Sequence, residues 1–167
     1  MYFVRLHPKA QAPIRKHSTD SGFDLRALLD DGKDNAELTL SPGQIEIIPT
    51  GWGVELPEPI FFNFEGHIGL TQMYTEAQVR SRSSLSIKGL VVSNSPGTID
   101  YGYTGEIKII LSNVSNKAHT IYQGDRIAQI VCCPVFIPET FSFSYSFSKK
   151  YREVSGRQQQ GFGSTGV

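Results

Sequence analysis

The chain is poor in the features that mark most large functional classes. It has two cysteines, Cys132 and Cys133, and they are adjacent. Neighbouring side chains of an extended strand point to opposite faces, so the pair is not read as a disulfide or a metal clip and is expected to fill the core. No apolar run approaches bilayer length, and the opening MYFVRLHPKA lacks the apolar stretch of a secretion signal. The expectation is a soluble, intracellular, cytoplasmic protein that makes no membrane contact. Neither sign of charge dominates: Lys+Arg and Asp+Glu are both 16, and the basic residues are scattered from Arg5 to Arg157 without forming a stripe. That argues against a nucleic-acid polymer as partner but not against a nucleotide, which needs only a few local cations. His7, His17, His67 and His119 show no metal-ligand spacing. Helical periodicity is scarce too, and only Ser83 to Lys88 reads as helix, one or two turns long.

What is present is punctuation. Glycine (16) and proline (9) interrupt short, often alternating apolar runs such as YFVRL, IEIIP, WGVEL, EIKIIL and RIAQIV. This is an all-β pattern. At 167 residues the chain suffices for one core, and no shift in composition marks a second. One domain over residues 1–155 with a mobile tail over 156–167 is expected. The run FSFSYSF (Phe141 to Phe147) reads as a strand with one aromatic and one hydroxylated face. The tail GRQQQGFGSTGV has little to bury except Phe162, yet its glycines and Arg157 are the components of an anion-binding loop.

The densest chemistry lies in NSPGTIDYGYTGEIKIIL, Asn94 to Leu111. Turn residues bracket two apolar runs, so Thr98 to Asp100 and Glu106 to Leu111 are expected to face each other as a hairpin. Asp100 would end the first strand, either as a solvated turn former or as a general base on a rigid element.

Five stretches together resemble one family. TDSGFDLRA (Thr19 to Ala27), RSSLS (Arg82 to Ser86), NSPGTIDYGYTGE (Asn94 to Glu106), GDRIAQIV (Gly124 to Val131) and the tail occur in the order and approximate spacing of the homotrimeric dUTP pyrophosphatases, the dUTPases. The resemblance implies an all-β, jelly-roll-like sandwich or barrel of the β-clip kind, with one short helix and a mobile C-terminal arm. It implies a homotrimer whose three sites lie between subunits, the arm of one closing over the site of another. The reaction would be Mg2+-dependent hydrolysis of dUTP to dUMP and pyrophosphate by water attack on the α-phosphate. That reaction limits uracil incorporation into DNA and supplies dUMP for dTMP synthesis.

The resemblance also assigns roles. Asp100 matches the water-activating aspartate. Arg82, Ser83 and Ser84 match the phosphate-binding Arg-Ser motif, with Ser83 near the bridging oxygen of the leaving group. RSRSSLS contains two Arg-Ser pairs, and Leu85, three residues after Arg82, fixes the register, leaving Arg80 as a solvated strand residue. Asp24 matches the aspartate that helps hold Mg2+ through water, fitting an ion that leans on substrate phosphates. Thr98, Ile99 and the position of Lys108 match main-chain contacts to uracil, and Asn94 matches an amide in the same network. Tyr103 matches the ring beneath the deoxyribose, although a packed hairpin aromatic would occupy the same place. Gln129 matches a phosphate contact, and Arg157, Phe162, Ser164 and Thr165 match residues that grip the γ-phosphate and stack over the base.

Two departures stand out. Gln158 and Gln160 replace glycines of the family tail, which should slow or weaken closure of the arm. The segment from Pro57 to Val79 is longer than usual and is expected to form an extended hairpin near the site, open to an unknown protein partner. The related dCTP deaminases need a glutamate where this chain has Ile110, which argues against deamination. A non-catalytic, nucleotide-sensing regulatory trimer is the remaining alternative, and intact Asp24, Arg82 and Asp100 speak against it.

Overall fold

The alternating apolar runs become strands paired antiparallel throughout. The computed structural model describes residues 1–29, 36–62 and 71–137. In chain order the strands are β1 (Tyr2–Arg5), β2 (Gly22–Arg26), β3 (Glu37–Leu40), β4 (Ile45–Pro49), β5 (Trp52–Glu55) and β6 (Ile60–Phe62), then β7 (Thr71–Arg80), β8 (Leu90–Val92), β9 (Gly97–Ile99), β10 (Lys108–Asn113), β11 (His119–Tyr122) and β12 (Arg126–Phe136). One helical turn, α1 (Ser83–Ser86), lies between β7 and β8, where the sequence predicts helix.

Two sheets position the site. One has the order β4-β10-β8; the other runs β2-β12-β7-β6, with β9 also on β7. Alternate residues of both turn into a common core: Ile48, Leu90, Ile109 and Leu111 from the first, and Leu25, Ala77, Val79 and Ile130 from the second. Each large side chain buried there removes roughly 1.5–3 kcal/mol worth of apolar surface from water. The all-β, jelly-roll-like expectation holds.

The expected hairpin between Thr98–Asp100 and Glu106–Leu111 does not form. β9 pairs with β7, Gly97 opposite Val79 and Ile99 opposite Ala77. β10 pairs with β4 on one edge and β8 on the other. Turn residues marked the turn correctly but could not say which strand its arms would join. The β8–β10 ladder runs from Asn113 to Leu111, and the next contact is Ser93 N to the Ile110 carbonyl at 2.8 Å. The chain thus leaves β10 before Lys108, so the two arms splay.

The segment from Pro57 to Val79 does form a hairpin limb, with β6 antiparallel to the start of β7 and Ile60 opposite Met73. β12 is long enough to follow β7 out to Phe136, opposite Met73. Its inner residues Ile127, Ala128, Ile130 and Val131 are buried, while those from Cys132 outward are half-buried or exposed. Cys132 and Cys133 are therefore not core filling: both are free thiols on the part of β12 that outgrows the core, and burial still pushes the Cys132 thiol above its ordinary range. At the far end Ile60, Phe61, Phe136 and Ile137 are exposed.

A turn between β4 and β5 fixes the entry to β10. Gly51 has φ +74, and a Cβ there would come within 2.6 Å of the Ala10 side chain, so only glycine fits. Its carbonyl accepts from the amides of Leu6 and His7, and its own amide donates to Glu106 Oε1 at 2.8 Å.

Candidate active site

The first group of candidate residues is assembled by β12 and its neighbours. Gln129 lies opposite Asp24 of β2 on one side and Arg80 of β7 on the other. Its amide Nε2 donates to the Ser81 carbonyl at 3.0 Å. Gly22 makes room for it, since a Cβ there would lie 2.9 Å from Gln129 Oε1. Arg82 caps α1 with an extended backbone (φ −93, ψ 131), and the amides of Leu85 and Ser86 bond its carbonyl at 3.0 Å. The amides of Ser83 and Ser84 precede the first bond of the turn, so the helix itself gives them no acceptor. Both serines are exposed.

The Arg82 guanidinium folds back onto β2. Nε meets Asp24 Oδ1 at 2.7 Å, and Nη1 donates to the Arg126 carbonyl at 3.0 Å. Arg126 Nη1 reaches Asp24 Oδ2 at 3.2 Å. One half-buried carboxylate is thus held between two guanidinium groups. Arg126 escaped the sequence reading, although it stands in GDRIAQIV three residues before Gln129. The helical turn starts right after Arg82. Arg80 is not merely solvated: Nε and Nη2 donate to Gln78 Oε1 at 3.1 and 2.7 Å, and Nη2 lies 3.4 Å from Cys133 Sγ.

The second group surrounds the turn after β9. Asp100 is exposed immediately past Ile99, and its carbonyl accepts from Tyr103 N at 3.1 Å with Gly102 at φ +86 between them. Tyr103 lies over Gly105, where a Cβ would collide with its ring, and its hydroxyl donates to the Glu106 carbonyl at 3.1 Å. Lys108 Nζ stands 3.8 Å from Glu106 Oε2. Thr98 is exposed opposite Gln78, whereas Ile99 packs on the core. Asn94 lies against Gly97, where a Cβ would be 2.9 Å from its Nδ2. The neighbouring Tyr101 donates its hydroxyl to Glu58 Oε2 at 2.9 Å, and that bond to a carboxylate raises the phenol above its ordinary pKa.

These groups do not meet within one chain. β9 runs away from Arg82, so Asp100 follows the residue opposite Ala77, while Arg82 lies five positions beyond Ala77. Asp100, one residue past Ile99, is therefore six positions from Arg82, and at about 3.3 Å per extended residue that is a separation of ~20 Å along the sheet. Arg157, Phe162, Ser164 and Thr165, with Gln158, Gln160 and the FSFSYSF run, lie outside the described residues, as does the 155/156 boundary; the described unit spans Met1–Ile137 with the gaps given above.

Asp24 as found does not fit a directly bound metal ion. Each carboxylate oxygen faces a guanidinium, and among the described residues no group of three or more His, Cys, Asp or Glu converges on a point. A hydrated ion held mainly by substrate oxygens asks less of the protein, and a single carboxylate meets that demand.

Comparison with known proteins bears directly on this arrangement. The dUTPase family model matches residues 53–166. The deoxyuridine 5'-triphosphate nucleotidohydrolase of Cytophaga hutchinsonii is 40% identical over 157 residues, covering 92% of this chain and 84% of that protein. That of Hydrogenobaculum sp. is 39% identical over 166 residues, covering 98% and 95%. Among solved structures, a variant of the Staphylococcus bacteriophage 80alpha dUTPase with dUpNHpp superposes with a TM-score of 0.73 at 26% identity, covering 99% of this chain and 98% of that one. A variant of the phage phi11 dUTPase, described with a structural Mg(II) ion, shares the fold with a TM-score of 0.66 at 24% identity, covering 88% and 98%. With the family model spanning more than half of its length and relatives near 40% identity over most of it, the chain belongs to the dUTPase family, whose reaction is the hydrolysis of dUTP.

Proposed function

We propose that this chain hydrolyses dUTP at sites shared between copies in a homotrimer, with Asp100 of one copy activating water against a triphosphate held by Arg82, Ser83, Ser84 and Gln129 of another. The observation that carries this reading is the strand register, which separates Asp100 from Arg82 by ~20 Å along β7. A base and the cations that neutralise its target must act on one phosphoryl group, so a second copy has to supply one of them.

Within that frame the residues divide the work. Asp100 takes a proton from the attacking water, a role worth on the order of 10²- to 10⁴-fold in rate. Arg82 keeps Nη2 for a phosphate while Nε and Nη1 are engaged. The outer edge of β9 at Thr98 and Ile99 and the part of β10 at Lys108 beyond the β8 ladder offer main-chain groups to the Watson–Crick edge of uracil. Tyr103 presents a ring to the deoxyribose, and Asn94 an amide. Arg157, Phe162, Ser164 and Thr165 are assigned to the closing arm, which excludes water when shut. Asp24 would help hold a hydrated Mg2+ beside the triphosphate, and the ion would supply charge neutralisation.

The test has two parts. Pyrophosphate release with Mg2+ should be selective for dUTP over UTP, dTTP and dCTP; ammonia from dCTP, or binding without turnover, would overturn the assignment. Separately inactive Asp100→Asn and Arg82→Ala chains, refolded together, should regain activity because some mixed sites contain both intact halves. No recovery in mixtures shown to co-assemble would sink the shared site.

A further inference from the structure

The lengthened segment reaches the turn that carries Asp100. β12 occupies one edge of β7 from residue 73 to residue 80, so β6 and β9 must share the other. β6 lies opposite residues 71–73 and β9 opposite 77–79, both antiparallel to β7. The end of β9 therefore abuts the approach to β6, and the chain has to turn out of the sheet at Asp100.

At that junction three side chains interlock. Tyr101 Oη donates to Glu58 Oε2 at 2.9 Å, and its ring packs edge-on against Tyr74, the centroids 5.6 Å apart and the planes at 70°. The Glu58 side chain is exposed, but its backbone is held in place. It stands between Pro57 and Pro59, and a residue before proline is confined to extended backbone. The Pro57 carbonyl accepts from Thr75 Oγ1 of β7 at 3.2 Å. Tyr74 is on β7, which is paired along its length with β12.

The turn has little other support. Residues 100–104 are exposed, and Gly102 has open space where a side chain would be. Beside the turn lies an open pocket of about 330 Å³ lined by Leu6, Val54, Leu56, Glu58, Tyr101 and Tyr103. We infer that Tyr101, Glu58 and Tyr74 are positioning residues that hold the Asp100 turn at a fixed angle, and that the segment leading into the β6–β7 pair thereby helps set the rate of the chemical step. This rests on Asp100 as the base. A hold on the base acts on the transition state more than on ground-state binding, because the substrate is gripped elsewhere.

The test measures dUTP hydrolysis by the full chain, in single-turnover and steady-state modes. Tyr101→Phe and Glu58→Ala should each lower the single-turnover rate and kcat about three- to tenfold, with KM within about twofold, a modest part of the cost of misplacing a reacting group. Their double variant should be no slower than the worse single, because both break one contact. Glu58→Gln, which keeps an oxygen acceptor, should stay within about twofold of the parent. Unchanged rates in both singles, multiplicative losses, or losses confined to KM would overturn the proposal. Asp100→Asn run alongside separates the two readings. Turnover by that variant removes the base itself, whereas its inactivity beside clasp variants of parental rate removes only the clasp.

Discussion

Asp24 and Asp100 are both aspartates of the candidate site, but the molecule treats them in opposite ways. Asp24 sits within a strand, its carboxylate between two arginines and its amide bonded to the Ile14 carbonyl at 2.8 Å. Asp100 stands exposed on a turn whose firmest external tie is the side chain next to it. The balanced charge is locked into the sheet; the charge proposed to exchange a proton with water is left outside it. The cost of desolvating a carboxylate explains the division, since burial without partners would neutralise it.

Replacing Asp100 with Asn gives the sharpest test of that contrast: turnover should fall on the order of 10²-fold or more while dUTP binding, followed by calorimetry, persists. Retained turnover would make the two aspartates equivalent scaffolding. Arg82→Lys comes next. A lysine cannot reproduce the forked geometry, so kcat/KM should drop at least about tenfold, with roughly 1 kcal/mol of stability lost in denaturant melts because the pair with Asp24 is only half-buried. Parental activity in that variant would mean the guanidinium serves Asp24 alone. Amide exchange should then separate the regions physically, with Ile130 exchanging near the global unfolding limit and Gly102 far faster. Comparable protection at the two would erase the distinction.

The smallest effect is expected from alkaline titration of Tyr101. Its phenol is raised above the ordinary value of about 10 by the Glu58 carboxylate. The neutral phenol is the donor, so the contact is intact below the ordinary value and lost as pH rises through the raised one. The ratio of parental to Tyr101→Phe single-turnover rates should approach one in that window. A ratio constant with pH would separate the hydroxyl from the turn's position.

Local features were legible in the sequence; distant pairings were not. The helical turn after Arg82 could be read because Leu85, which packs on the core, lies within the same few residues. Likewise Ile110 needs no tertiary information to lack an acid; in β10 it lies half-buried opposite Ile47 of β4. By contrast, the partners of Asp24 lie 58 and 102 residues away along the chain, and no motif spacing encodes such contacts. The hairpin expectation failed because the strand that captured β9 is β7, which lies almost wholly within the segment from Pro57 to Val79. Cys132 and Cys133 misled for a similar reason. Alternation tells which face a residue takes, but not that β12 runs on past the core.

The pair of arginines around Asp24 has one more consequence. Their carboxylate is a tethered competitor, present at an effective concentration that no dissolved monoanion matches. An anion seeking Arg82 Nε or Arg126 Nη1 must displace a carboxylate that cannot diffuse away, whereas the phosphate contact proposed at Arg82 Nη2 leaves that carboxylate in place. In the proposed cradle, Asp24 thus covers the inner faces of both guanidinium groups and leaves the outer face of Arg82 to the triphosphate.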